Sequence, residues 1–283
     1  MKKDLKHAFQ RSSLIYFGFY GAERRVQDCV SDGLNRADAA VLDEHCDLLL
    51  VGDSLAMTIY GFDSTADMTL DIMIRHGKAV ASRAKTALVI VDLPAGSYER
   101  SPGQARRSAL KIMAETGADG VKLEGGEQMV KQVAALTSAG IPVMGHIGLL
   151  PQQVRPPKLF EVMGRTEESI NQLHLDMEAL VNAGAFAIVC EGIVEPVARA
   201  LALSCPVPTI GIGASCACDG QILVSEDMLG LFDDFRPKFV HHFSNLKGVI
   251  AEAAAFYRQA VNDGTFPADN NLYAPAAGVS EQC

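Results

Sequence analysis

The sequence predicts a single-domain α/β fold of parallel strands, in its closed form a (β/α)8 barrel. Three observations predict it. Strand, turn and helix signals repeat from residue 39 onward. The strands are continuous apolar runs, as expected where both faces are buried. Four of these runs lead into a carboxylate: residues 48–51 into Asp53, 88–91 into Asp92, 120–123 into Glu124, and 188–190 into Glu191. Parallel strands ending in acids aim them at the C-terminal rim, where barrels do their chemistry.

The elements follow in order. Residues 39–45 read as the end of a helix, and 48–51 as a strand. The next helix carries Leu70, Met73, Ile74, Gly77 and Val80 at helical spacing. After strand 87–91, Ser101-Pro102 supplies an N-cap with proline in the first turn. Strand 120–124 leads to a helix over 127–138, and a strand ends at His146. A Pro- and Arg-rich loop covers 151–165. Helix 167–183, strand 186–190, helix 195–203, strand 207–212 and a last helix over 246–261 complete the series. Repeated right-handed βαβ units fit a doubly wound sheet or a barrel. Short strands at 14–19 and 237–239 would raise the six between 48 and 212 to eight. The expected layout is a divergent N-terminal segment (1–38) contributing the first strand and helix, a barrel core (39–265) and a tail (266–283).

Composition narrows the classes. The chain has 283 residues, 48% hydrophobic, with a net charge of -9, which suits one large-cored barrel. No basic patch with interleaved aromatics points to nucleic acid. No apolar run approaches the roughly 20 residues of a membrane helix. The 7 cysteines include no C-x-x-C pair. Reduced thiols, hence a cytoplasmic location, are the expectation, with Cys46 and Cys190 in the core.

The acids suggest chemistry. Asp53 and Asp92 end neighbouring strands, and oxygen-only ligands favour Mg²⁺; a single strand-end Asp is more often a cap. Lys122 and Glu124 share a strand face, either to hold a substrate carboxylate or as a structural ion pair. Glu191 would face them across the mouth, either as a partly desolvated base or as a surface residue in a loop. His146 either bonds a ligand or satisfies a buried neighbour. Gly125-Gly126 lets a ligand approach the backbone, or simply makes a turn.

These residues resemble one family. Val51-Gly52-Asp53-Ser54-Leu55, Asp92-Leu93-Pro94, Val121-Lys122-Leu123-Glu124-Gly125-Gly126, Gly145-His146-Ile147-Gly148 with Pro151-Gln152, Gly211-Ile212-Gly213-Ala214 and Cys218-Asp219-Gly220-Gln221 are similar to the motifs of ketopantoate hydroxymethyltransferases. The resemblance runs in order over about residues 39–269. It implies a (β/α)8 barrel of the phosphoenolpyruvate mutase/isocitrate lyase superfamily. It implies Mg²⁺ at Asp53 and Asp92 with Glu124 acting through water, Ser54 and Lys122 on the substrate, and Glu191 as base. With the residue reading, it places Asp53, Ser54, Asp92, Lys122 and His146 against a 2-oxo acid. The implied reaction transfers a hydroxymethyl group from 5,10-methylenetetrahydrofolate to 3-methyl-2-oxobutanoate through a metal-stabilised enolate. A homo-oligomer, a decamer by resemblance, is also implied.

The chain departs from the family pattern in its first strand, where Ser31-Asp32-Gly33-Leu34 stands and residues 14–20 are expected to serve instead. Ala95 replaces Phe, Glu161 replaces Lys and Ser215 replaces Gly. These changes leave two other readings: a paralogue working on another 2-oxo acid, with Ala95 enlarging the site, and a non-catalytic barrel subunit.

Overall fold

The computed structural model describes residues 28–32, 36–154, 160–232 and 236–274. Eight parallel strands close into a barrel in chain order. They are β1 (Asp28–Asp32), β2 (Leu48–Val51), β3 (Leu88–Asp92), β4 (Gly120–Lys122), β5 (Val143–Gly148), β6 (Ala187–Glu191), β7 (Thr209–Ile212) and β8 (Gly220–Val224). Between them run α1 (Arg36–Leu42), α2 (Leu55–Thr58), α3 (Leu70–Ala81), α4 (Pro102–Thr116), α5 (Val130–Thr137), α6 (Glu167–Asn182) and α7 (Glu195–Ser204). Beyond β8 come α8 (Ser225–Leu229) and α9 (Leu246–Asn262).

Two strand assignments from the sequence change. The first strand is Asp28–Asp32, which pairs with both β2 and β8 and closes the barrel; residues 14–20, expected in that place, lie outside the described residues. The eighth strand is Gly220–Val224, not 237–239, which fall in a turn region. Pro237 would interrupt an interior ladder, because it has no N–H to donate. The Gly220-Gln221-Ile222-Leu223-Val224 run meets that demand.

The period of two along each strand divides the apolar residues into two cores. Leu48, Leu50, Ile90, Met144, Val189 and Ile222 fill the barrel interior. Alternate residues such as Leu49, Val51, Val91, Val121, Val143 and Cys190 pack outward with the helices. The interior series then turns polar at the top: Ile90 is followed two residues on by Asp92, Gly120 by Lys122, Met144 by His146, and Val189 by Glu191. The same alternation that packs the core therefore delivers the polar rim. Gly120 is small because a Cβ there would lie 2.9 Å from the Pro142 carbonyl oxygen.

Capping sets the helix positions. The Ser101 hydroxyl accepts from Gln104 N at 3.2 Å ahead of Pro102, and Gly117 ends α4 in the left-handed region with φ 74°. Thr69 and Thr166 cap α3 and α6 in the same way. These bonds satisfy first-turn amides that have no partner within the helix.

At the opposite end of the barrel, aspartates bind strand amides. Asp119 Oδ2 accepts from Val89 N, and Asp219 Oδ2 from Thr209 N, both at 2.9 Å. Asp43 is buried and accepts from the amides of Lys85, Thr86 and Ala87. Burial would raise the Asp43 carboxyl, but these amides outweigh it and hold the group below its ordinary 3.8. A depressed carboxylate stabilises the fold above its unfolded-state value, and that contribution is lost as pH falls through the lower folded value. Asp43→Ala should cost about 1–3 kcal/mol at pH 7 in urea denaturation, because buried donors lose their acceptor. The gap from the wild-type protein should narrow as the pH is taken below about 4.

Candidate active site

Asp92 and Glu191 are the last residues of β3 and β6, while Asp53 and Glu124 lie two residues beyond β2 and β4. A cavity of about 90 Å³ opens at this rim. Since one water needs only about 10–15 Å³ by such a measure, it holds several waters or one compact organic acid. Asp53, Ser54, Asp92, Lys122, Glu124, His146 and Glu191 all line it, so every site residue named from sequence comes to one mouth. Leu50, Val189, Ile212 and Ile222 form an apolar floor and wall.

Asp53 reaches the mouth by a turn. The chain leaves β2 at Gly52, and the Asp53 amide donates to Asp92 Oδ2 at 3.2 Å. Lys122, paired with Asp92 in the strand register, donates through Nζ to Asp92 Oδ1 at 2.7 Å. Both side chains are almost fully buried. Burial alone would drive the ammonium to lose its proton. The charges of Asp92, Glu124 and Asp53 more than offset this and hold its pKa above the ordinary value.

Glu124 is 1% exposed. Burial first, and then the charge on Asp53, push its carboxyl well above the usual carboxylate range, against the pull of Lys122. His146 sits between two acids, with Nδ1 3.6 Å from Glu124 Oε1 and Nε2 3.3 Å from Glu191 Oε2. Neither ring nitrogen is in line for a full hydrogen bond. Burial, followed by the Lys122 ammonium, lowers the imidazole pKa against the attraction of Glu191. A neutral ring at pH 7 follows.

Sequence reasoning passed over Gln152 and Tyr98 as working residues. Gln152 Nε2 donates to Asp53 Oδ2 at 2.7 Å and to the Leu93 carbonyl at 3.1 Å. Its backbone N–H donates to Glu124 Oε2 at 3.1 Å. The Tyr98 hydroxyl, 2.8 Å from Gln152 Oε1, also reaches the Glu124 carbonyl at 3.1 Å. Burial, and next the charge of Glu124, raise the Tyr98 pKa, so the hydroxyl remains a donor. The signal for Gln152 was its place in the Pro151-Gln152 motif; being uncharged, it carried no chemical flag.

Other readings resolve structurally. The Gly125-Gly126 turn approaches protein: a Cβ on Gly126 would lie 2.0 Å from Asp176 of α6, whose Oδ1 accepts from Glu127 N. Ala95 is partly exposed and is not among the residues that line the cavity. Ser215 is buried and donates to Glu195 Oε1 at 2.9 Å, giving the rim after β7 a bond that glycine would lack. Glu161 is exposed. Cys46 and Cys190 are core residues, and the described cysteines 46, 190, 205, 216 and 218 are free thiols.

The donor set suits a hard divalent cation. Asp53, Asp92, Glu124 and Glu191 face the cavity with Lys122, and burial, then the charge on Asp53, raise the Glu124 carboxyl. Among the described residues no three His, Cys, Asp or Glu side chains close on a common point. Mg²⁺ does not require that, since it binds through one or two carboxylates and keeps waters or substrate as its other ligands.

Comparison with known proteins then decides the family. Residues 34–269 match the family model for ketopantoate hydroxymethyltransferase. The chain belongs to this family. It is 53% identical over 237 residues to the 3-methyl-2-oxobutanoate hydroxymethyltransferase of Rhizobium rhizogenes, covering 84% of this chain and 87% of the relative. It is 52% identical over 241 residues to the Brucella suis enzyme of the same name, covering 85% and 88%. Among solved structures, it resembles phosphonopyruvate hydrolase (TM-score 0.58, 13% identity, 88% of each chain). It also resembles 2,3-dimethylmalate lyase, a PEP mutase/isocitrate lyase superfamily member (TM-score 0.57, 16% identity, 94% of this chain and 91% of that one). At such identity these two show the shared fold alone.

Lys122→Met should leave Asp92 buried without its ammonium. Urea denaturation at pH 7 is expected to show a loss of about 3–5 kcal/mol, the usual result of removing one partner of a buried pair.

Proposed function

We propose that the protein transfers a hydroxymethyl group from 5,10-methylenetetrahydrofolate to 3-methyl-2-oxobutanoate, giving 2-dehydropantoate for pantothenate biosynthesis. The observation that carries this reading is the single mouth holding Asp53, Asp92, Lys122 and Glu124 on one side, with Glu191 on the other. Around the closed barrel, β6 stands three strands from β3 and four from β2. The identity with relatives of that name supports the substrate and the donor.

Asp53 and Asp92 would hold Mg²⁺, with Glu124 in support; when bound, the ion supplies Lewis-acid polarisation of the substrate's keto oxygen. Lys122, kept protonated by its acidic neighbours, offers positive charge to the substrate carboxylate, and Ser54 lies beside it in the wall. Glu191 takes the C3 proton, so the C3–H electron pair becomes a carbanion. Neutral His146 stands beside that carboxylate, with Nε2 3.3 Å from Glu191 Oε2. Water opens the methylene bridge of the folate, breaking both C–N bonds with a proton to each nitrogen and freeing the one-carbon unit at the formaldehyde level. The carbanion forms the C–C bond to that carbon, and its C=O pair becomes an alkoxide that takes back the proton held by Glu191. The apolar wall of Leu50, Val189, Ile212 and Ile222 fits the substrate's branched end.

Deuterium exchange at C3, followed by NMR in D₂O with Mg²⁺, tests the first half of this sequence. The wild-type protein should exchange 3-methyl-2-oxobutanoate rapidly. Glu191→Gln should slow exchange by about 10²–10⁴-fold, the usual contribution of a general base. Asp53→Asn and Asp92→Asn should abolish the Mg²⁺ dependence. Absence of exchange in the wild-type protein would count against the reaction.

The same reading includes assembly into homo-oligomers. It is supported by α9, on which Val249, Ile250, Phe256 and Tyr257 are all at least half exposed, since soluble monomers rarely leave such a face uncovered. Light scattering should give a mass several times 30.2 kDa. A Phe256→Glu, Tyr257→Glu double variant should lower it.

A further inference from the structure

Gln152 has no role in the steps above, yet all its side-chain polar atoms are engaged at the mouth. Both amide protons are used, one toward Asp53 Oδ2 at 2.7 Å and one toward the Leu93 carbonyl at 3.1 Å. The amide oxygen accepts from Tyr98 at 2.8 Å. The backbone N–H serves Glu124 Oε2 at 3.1 Å. One residue of the turn after β5 thereby ties down the rims that follow β2, β3 and β4.

The carboxylates it grips are the pair that repel. Asp53 is the largest electrostatic cause raising the Glu124 carboxyl, while Lys122 is committed to Asp92 at 2.7 Å. The amide also has one workable orientation. Turned over, its oxygen would face the Asp53 carboxylate and the Leu93 carbonyl, and its NH₂ would face the Tyr98 hydroxyl. The Asp53 carboxylate and the Leu93 carbonyl only accept, and they set that orientation; the Tyr98 hydroxyl, 1% exposed and 2.8 Å from Gln152 Oε1, backs the amide from behind. Burying an amide is costly unless all its bonds are made. Here the shortest of them is to an acid of the site rather than to the backbone.

We propose that Gln152 is a positioning residue for the cation site, holding Asp53 and Glu124 in a fixed relation, with the Tyr98 hydroxyl bracing its amide from behind. This role rests on the Mg²⁺-dependent reaction proposed above. Gln152 acts through the two carboxylates and touches neither substrate nor reacting atoms.

The test compares the wild-type protein with Gln152→Met, which keeps side-chain length and removes the side-chain donors, and with Tyr98→Phe. Three quantities are read: the dissociation constant for Mg²⁺ alone by calorimetry, the thermal midpoint, and kcat and KM for 3-methyl-2-oxobutanoate. Gln152→Met should weaken Mg²⁺ binding by about 10- to 100-fold, the usual loss when a group supporting a metal ligand is removed. Its kcat should fall in step. Tyr98→Phe should give a smaller loss of Mg²⁺ affinity in the same direction. A folded Gln152→Met with wild-type Mg²⁺ affinity overturns the proposal, even if its thermal midpoint drops, since that is the mark of a purely structural residue. Should Gln152→Met fail to fold, wild-type Mg²⁺ affinity in Tyr98→Phe overturns it instead. A wild-type protein that takes up no Mg²⁺ overturns the reaction and this role together, whereas normal wild-type binding with unaffected variants overturns this role alone.

Discussion

Four carboxylates share a largely buried mouth with one ammonium, and the rim is arranged around that imbalance. Lys122 cannot neutralise all of them, so it is spent on Asp92, its partner in the strand register. Hydrogen bonds share out the remaining charge. Asp53 receives the amide of Gln152, Glu124 receives a backbone N–H, and His146 stands between Glu124 and Glu191. Among the described residues the mouth thus holds more acidic groups than basic ones, an arrangement that suits a hard cation. A fully paired set would be more stable and would have no reason to bind one.

The two ends of the barrel use the same residue type for different purposes. Away from the cavity, Asp43, Asp119 and Asp219 accept backbone amides and tie neighbouring segments together. At the mouth, Asp53 and Asp92 face an open cavity instead. Context separates them: three amides converge on Asp43 and satisfy it, whereas Asp53 and Asp92 are packed against other acids.

Much of this was legible in the sequence because it follows from periodicity. The strands from β2 to β7, the longer helices with the Ser101 cap, and six of the seven residues of the mouth follow spacing that holds over short windows, while Ser54 was marked by the family resemblance. The first and last strands were harder. β1 reads Asp-Cys-Val-Ser-Asp, short and polar at both ends, and is defined by pairing with β2 and β8, which lie far along the chain. β8 follows β7 after a link of only seven mostly small residues, 213–219, which leaves no room for the usual intervening helix. Gln152 was missed for a different reason. Its importance lies in bonds to residues 28, 59 and 99 positions away, and an uncharged side chain in a loop advertises none of them.

The ladder between β4 and β5 has a consequence of its own. Only Val121 with Val143 and Lys122 with Met144 are in register there, and the pairing continues through an antiparallel contact in which Gly125 N donates to the His146 carbonyl at 3.0 Å. This short seam divides the chemistry. Asp53, Asp92, Lys122 and Glu124 lie before it, while His146, Gln152 and Glu191 lie after it. The first half-barrel thus carries three of the four acids with Lys122, and the second carries the fourth, Glu191, together with the Gln152 that grips Asp53 and Glu124 across the seam. The first half alone would lack both Glu191 and the bonds that align its own acids, so the arrangement of the mouth belongs to the closed ring and to neither half alone.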